Sequence, residues 1–202
     1  MEIVLASRNK KKIAELQAMM SEIPSMDIKI LSLDDIGVFD DIEENGETFE
    51  DNARIKASAG AEKGYITIAD DSGLCVDALD GAPGVHSARF SGGGDAENNK
   101  LLVEKLKGLP TEKRTAHFRT NVVCIFPKQN DEIVTVGEVS GYITEQAAGT
   151  NGFGYDPYFF YPPFNKTFAQ LTSEEKNSIS HRGQAMRAFA EKLVEKAKKY
   201  NL

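Results

Sequence analysis

Ala69-Asp70-Asp71-Ser72-Gly73 places two adjacent carboxylates, a hydroxyl and a glycine where the apolar, β-rich run Tyr65-Ile66-Thr67-Ile68 ends. In open α/β sheets ligands bind at the carboxyl ends of strands, where loops fed by a rigid strand present side chains. Two close carboxylates repel unless a cation or a proton lies between them, which points to a divalent metal. The competing reading is a plain strand-ending turn, where Asp, Ser and Gly are favoured for backbone reasons.

Further segments carry chemistry of other kinds. Ser7-Arg8-Asn9-Lys10-Lys11-Lys12 follows a short apolar run and precedes a helical pattern, and free N–H groups at such a junction favour an anion. Lysines at a helix start oppose its dipole, so a phosphate cradle is one reading, with Lys12 one turn from the loop. A capped surface helix with a charged first turn is the other. Glu43-Glu44-Asn45-Gly46-Glu47 is an acidic loop able to supply a metal carboxylate, ahead of Asn52 and Lys56, which share a helix face. In Asn151-Gly152-Phe153-Gly154-Tyr155-Asp156-Pro157 the glycines admit a flat ligand, an aromatic ring can stack on a base, and a carboxylate can accept from a base N–H. Lys176, His181 and Arg182 surround the start of the last helix as donors for phosphate or a carbonyl-bearing base edge, although Ser178 or Ser180 can cap that helix instead. His86 and His117 have no metal-type spacing. There is no GxSxG elbow or GxxxxGK(S/T) loop, which argues against an acyl hydrolase or a P-loop enzyme.

The elements that must position these groups read as α/β. Strands are expected over Glu2 to Ala6, Asp27 to Leu31 and Tyr65 to Ala69, with a long hairpin of Thr115 to Phe126 and Glu132 to Thr144. Helices are expected after the first strand (Ile13, Leu16, Met20 and Ile23 at helical spacing), over Thr48 to Glu62 with Thr48 and Asp51 as a capping pair and Ala53, Ala57 and Ala61 on one face, over Asp95 to Leu106 after the glycine loop Ser91-Gly92-Gly93-Gly94, and over Ser180 to Tyr200 with Ala185, Phe189, Leu193 and Ala197 in one row. The result is a mixed central β-sheet flanked by helices. A length of 202 residues suits one large domain or two intimately packed lobes, and no linker interrupts the chain.

A net charge of -7 gives no pull toward a nucleic-acid backbone. The apolar run at the amino terminus is too short for a signal segment or a membrane span, so a cytoplasmic protein is expected. Cys75 and Cys124 stand far apart within apolar runs and read as buried free thiols.

Taken in order, Ser7-x-Asn9-x-x-Lys12, Glu44, Asp70-Asp71-Ser72-Gly73, Phe153-Gly154-Tyr155-Asp156, Lys176 and Ser180-His181-Arg182-Gly183 resemble the inosine triphosphatase family, the non-canonical purine nucleoside triphosphate pyrophosphatases. The resemblance covers nearly the whole chain. It implies a single pyrophosphatase domain over residues 1–202, with two lobes and the active-site cleft between them. It also implies Mg²⁺-dependent hydrolysis of ITP, dITP and XTP to monophosphate and pyrophosphate by a cytoplasmic homodimer that removes these nucleotides from the pool. By the same likeness Asp71 is the proton acceptor and a metal ligand, Glu44 and Asp70 are acidic positions near the metal, and Ser72 contacts substrate. Ser7, Arg8, Asn9, Lys10, Lys11 and Lys12 would hold the phosphates, with Lys56 and Lys176 adding positive charge. Phe153, with Gly154 and Tyr155 beside it, would stack on the base.

Hypoxanthine and xanthine present a carbonyl and an N1–H, which suit donors from His181 or Arg182 and an acceptor such as Asp156. A site built for that edge rejects adenine because its own polar groups lose their partners. Guanine shares that edge and must be rejected at its 2-position. One departure is Ala169-Gln170-Leu171, where an acidic residue commonly takes the middle position. The competing functions are a pyrophosphatase of another base preference and a nucleotide-binding module that does not hydrolyse.

Overall fold

The computed structural model describes residues 1–8, 10–21, 23 and 26–202, with the helix backbone alone at 10–12, 14 and 15. Among the described residues, seven strands form one sheet in the order β2-β1-β3-β4-β5-β6-β7. They are β1 (Glu2–Leu5), β2 (Lys29–Ser32), β3 (Ile66–Val76), β4 (Thr115–Phe126), β5 (Asp131–Ile143), β6 (Phe159–Tyr161) and β7 (Lys166–Thr167). β1 runs parallel to both neighbours, with Ile3 opposite Ile30 on one side and Leu5 opposite Ile68 on the other. Parallel neighbours need long crossovers, and the chain supplies helices for them: α1 (Lys10–Ser21) between β1 and β2, and α2 (Phe49–Ala61) between β2 and β3. The four-residue link between β4 and β5 permits only an antiparallel hairpin. β5, β6 and β7 also pair antiparallel, so the sheet is mixed as expected.

The chain divides into two compact units. The first comprises Met1–Asp71, Asn121–Val136 and Ala185–Leu202. Alternation along β1 sends Ile3 and Leu5 into one core with Leu16, Met20, Phe126, Phe189 and Leu193, and Val4 into another with Leu33, Ala53, Ala57 and Val123. Helix α5 (His181–Tyr200) buries Ala185, Phe189, Leu193 and Ala197 at a spacing of four, the row its sequence shows. Helix α2 lies close to the sheet because its buried face is small: a Cβ at Gly60 would fall 2.4 Å from Thr67 Oγ1. Gly60 therefore replaces Ala61 as the last member of the predicted Ala53 and Ala57 row.

The second unit comprises Ser72–Thr120 and Gly137–Gln184. Its core joins Leu74, Leu102, Val139 and Ile143 to three aromatic rings. Phe159 lies 4.6 Å by ring centroid from Phe118 and 4.8 Å from Phe168. Helix α3 (Asp95–Lys105) follows the triple-glycine loop where expected. Helix α4 (Ser173–Ile179) was not anticipated, although Thr172 and Glu175 form a reciprocal capping box that is legible three residues apart. Gln170 shows why an acid is dispensable at its position: its Oε1 accepts the Thr167 N–H at 2.9 Å, a bond an amide oxygen makes as well as a carboxylate.

One expectation is overturned in β3. Tyr65 to Ala69 reads as a strand that ends there, yet β3 runs unbroken through Asp70-Asp71-Ser72-Gly73 to Val76. The β1 ladder stops at Ile68, so β4, the other neighbour of β3 in the sheet, is what holds this stretch extended against the turn preference of Asp, Ser and Gly. Cys75 and Cys124 are free thiols, and burial pushes the Cys124 thiol far above its ordinary range. No helix among the described residues is long and apolar enough to cross a membrane.

Candidate active site

In the first unit Thr48 and Asp51 close a capping box that starts α2, which fixes the helical phase of the residues after it. One turn on, Asn52 and Lys56 sit four apart and reach the same carboxylate. Asn52, only 1% exposed, accepts the Gly46 N–H on Oδ1 at 2.8 Å and donates from Nδ2 to Asp71 Oδ2 at 3.1 Å. Lys56 Nζ lies 3.3 Å from Asp71 Oδ1 and 3.0 Å from Glu44 Oε2. Gly46 is required by this closeness, since a Cβ there would meet Asn52 Oδ1 at 2.7 Å. Burial raises the Asp71 carboxyl above the ordinary range of an aspartate, an effect opposed by the Lys56 charge and the Asn52 hydrogen bond and reinforced by Glu44. A carboxylate so placed holds a proton more readily than one in water, which suits a general base working near neutral pH.

The acidic pair itself is not as the sequence suggested. Successive strand residues leave opposite faces of the sheet, so the buried Asp70 and its neighbour Asp71 do not form a side-by-side pair. Ser72 is exposed. No three His, Cys, Asp or Glu side chains are arranged to hold a metal among the described residues. The donors that do converge are Glu44 and Asp71, which meet at one ammonium. Two carboxylates at one point of positive charge match the way Mg²⁺ is commonly bound, by one or two carboxylates with water and substrate phosphate completing the shell.

Of the amino-terminal cradle, the strand, loop and helix arrangement is as expected, with α1 beginning at Lys10. Arg8 is committed elsewhere: its guanidinium bonds Asp34 at 3.0 Å, Asp41 at 3.1 Å and the carbonyl of Asp40 at 2.8 Å, tying down the 34–41 loop. Ser7 donates its N–H to the Leu5 carbonyl at 2.7 Å. Asn9 and the side chains of Lys10, Lys11 and Lys12 lie outside the described residues.

In the second unit the glycine loop displays the ring of Phe153 and buries the side chains of Tyr155 and Asp156. Phe153 is 79% exposed, with Lys176 Nζ 5.0 Å from its centroid. Tyr155 and Asp156, expected beside the base, both have hydrogen-bond partners within the protein. The Tyr155 hydroxyl donates to the Ser87 carbonyl at 2.8 Å, and burial raises its pKa strongly. Asp156 Oδ2 accepts the Phe153 N–H at 2.9 Å and pairs with Lys176. Gly152 is obligatory here, with φ +79° and no room for a Cβ, which would stand 2.0 Å from Asp156 Oδ2. Lys176 is thus the cation beside the exposed ring, and Asp156 is its counter-charge.

Near the start of α5, Ser180 Oγ accepts the Gly183 N–H at 3.1 Å, the capping alternative noted in the sequence. His181 stacks on Phe118, with centroids 4.9 Å apart and planes 13° from parallel, and Arg182 follows it in the first turn. Sequence reading assigned no role to Asp95 and Asn99, which bond the Gly154 backbone. Their signal was available: two polar residues one turn apart, directly after a glycine run.

The fold and these groups define an α/β protein with a carboxylate-centred polar site and a separate loop that displays an aromatic ring beside a lysine. The sequence pattern of the Ham1 family matches residues 3–192, and the chain belongs to that family. It is 45% identical over 196 residues to the dITP/XTP pyrophosphatase of Leuconostoc mesenteroides, covering 96% of each chain. It is 49% identical over 200 residues to the protein of the same name from Exiguobacterium sibiricum, covering 96% of this chain and 98% of that one. The solved structure of the Staphylococcus aureus Ham1 protein superposes with a TM-score of 0.89 at 37% identity, covering 97% of this chain and all of the other. The family likeness expected from the sequence is thereby borne out.

Proposed function

We propose that this chain hydrolyses ITP, dITP and XTP to the nucleoside monophosphate and pyrophosphate, with Mg²⁺, as a cytoplasmic homodimer that clears these nucleotides from the pool. The relatives' activity toward dITP and XTP supports the reaction. The observation that carries the reading is Asp71, held by Asn52 and Lys56 with its carboxyl raised by burial.

Asp71 orients a water and takes its proton as the water oxygen attacks the α-phosphorus. The bond from that phosphorus to the bridging oxygen breaks, and pyrophosphate leaves. Glu44 and Asp71 would hold the Mg²⁺, whose charge, when bound, offsets the negative charge developing on the phosphate oxygens. Lys56 steadies both carboxylates, and Ser7 with Asn9, Lys10, Lys11 and Lys12 receives the triphosphate. Phe153 stacks on the base, and Lys176, anchored by Asp156, offers a donor beside that ring for the 6-carbonyl of hypoxanthine or xanthine. His181 and Arg182 add donors at the same edge. Adenine carries an amino group there and leaves those donors without acceptors.

The test is pyrophosphate release from ITP, XTP, dITP, GTP and ATP with Mg²⁺, comparing wild type with Asp71→Asn and identifying products chromatographically. ITP and XTP should yield monophosphates, and Asp71→Asn should lower kcat by about 10²-fold or more. Binding of ITP without cleavage by the wild type would overturn the reading in favour of a non-hydrolysing module, and rapid cleavage of ATP would overturn the base preference.

A further inference from the structure

The ring of Phe153 projects from a loop whose glycines, Gly152 at φ +79° and Gly154 at φ +60°, have no conformational preference of their own to hold it. Its attitude is set from outside. Both backbone groups of Gly154 are taken by side chains of α3: the N–H donates to Asp95 Oδ2 at 2.7 Å, and the carbonyl accepts from Asn99 Nδ2 at 2.8 Å. Asp95 and Asn99 are one turn apart, so a single helix face presents an acceptor and a donor to one residue.

Neither side chain is needed to build α3. The helix start is closed by Glu97, which accepts the Gly94 N–H at 3.1 Å. The adjacent Asn98 ties the preceding loop, accepting the Ser91 N–H at 2.8 Å and donating to the Ala88 carbonyl at 3.2 Å. Asn99 is buried like Asn98 and differs from it in one respect: its Oδ1 has no hydrogen-bond partner among the described residues. A buried carbonyl oxygen without a partner costs free energy, so the amide is accounted for by its donor, and that donor meets Gly154.

We propose that Asp95 and Asn99 are positioning residues for nucleobase binding, which clamp Gly154 and so hold Phe153 ready to stack. The inference rests on the reading of Phe153 as the base platform. A ring on a loose glycine loop would lose conformational freedom when the base arrives, whereas a clamped one has lost it in folding. The clamp therefore acts on binding and leaves the phosphate chemistry alone.

Steady-state kinetics with ITP and Mg²⁺ test this on wild type, Asn99→Ala, Asp95→Ala, Asp95→Asn, Phe153→Ala and the double variant Asn99→Ala/Phe153→Ala. Loss of the stacking ring in Phe153→Ala should raise KM about tenfold. Asn99→Ala and Asp95→Ala should raise KM about three- to tenfold with kcat held within about twofold. Asp95→Asn keeps an acceptor oxygen and should restore a near-native KM. In the Phe153→Ala background, Asn99→Ala should add nothing further, because the clamp has no ring left to hold. Equal KM effects with and without Phe153, or losses confined to kcat, would overturn the inference. A raised KM in Phe153→Ala with none in Asn99→Ala and Asp95→Ala overturns it alone, whereas an unchanged KM in Phe153→Ala removes the platform reading and the clamp with it. Asp95 is exposed, so Asp95→Ala carries the test by itself if Asn99→Ala does not fold.

Discussion

Lys56 Nζ stands 3.3 Å from Asp71 Oδ1, and with its side chain 14% exposed and that of Asp71 15% exposed the pair lies largely out of water. The same ammonium reaches Glu44, so one cation holds together two carboxylates 27 residues apart in the chain. Lys56→Met should leave both carboxylates without their counter-charge. We expect a loss of up to about 3 kcal/mol in urea denaturation, since removing one partner of a largely buried pair strands the other. Unchanged stability would show the pair to be no stronger than a surface contact.

Gly60 faces Thr67 too closely for any side chain, with a hypothetical Cβ 2.4 Å from Oγ1. Gly60→Ala should destabilise the protein by about 1–3 kcal/mol through overpacking between α2 and β3. Thr67→Ala in the same chain should restore part of that loss by making room. Additive losses in the double variant would mean that the contact is not the cause.

Asp131 is paired with Lys196 and hydrogen-bonded by the Tyr200 hydroxyl, which hold its carboxyl far below the ordinary range. A folded-state pKa below the unfolded one stabilises the protein above the unfolded value, and that stability fades as the pH falls toward the folded value. Thermal melts should therefore show Asp131→Asn less stable than wild type at pH 7, with the gap narrowing below about pH 4. A gap that stays constant with pH would assign the effect to packing instead.

Cys124 is fully buried and its thiol is held in the neutral form, while burial also raises the thiol of the half-buried Cys75. The thiolate is the reactive species. Native protein at pH 8 should react slowly with a disulfide reagent, Cys124 slowest of all, and both thiols should titrate at once in denaturant. Rapid native labelling of Cys124 would contradict its burial.

Much of this arrangement was legible residue by residue. Thr48 and Asp51 announced α2, the Ala185, Phe189, Leu193 and Ala197 row announced α5, and the long β-like run of Thr115 to Phe126 announced β4, because caps, periodicity and residue preference are satisfied within a few residues. The ordered motifs likewise pointed to the family that the whole-chain comparison bears out. Gly152 was legible as a point of close approach, and the structure adds only which carboxylate approaches it.

The local signals misled where distant partners compete for the same groups. Asp70-Asp71-Ser72-Gly73 carries turn chemistry, yet it continues β3 beside β4, past the end of the β1 ladder at Ile68. The partners of two candidate ligand residues were likewise hidden in the sequence: Arg8 is bound to Asp34 and Asp41, and Asp156 to Lys176 and the Phe153 N–H. Residue types, their order and the helical phase are properties of short segments, and the sequence by itself determined them. Which carboxylate meets Lys56, which side chains clamp Gly154 and which ring stays exposed depend on contacts between segments far apart in the chain. Those contacts exist only once burial has set the segments side by side, and so the tertiary structure decided them.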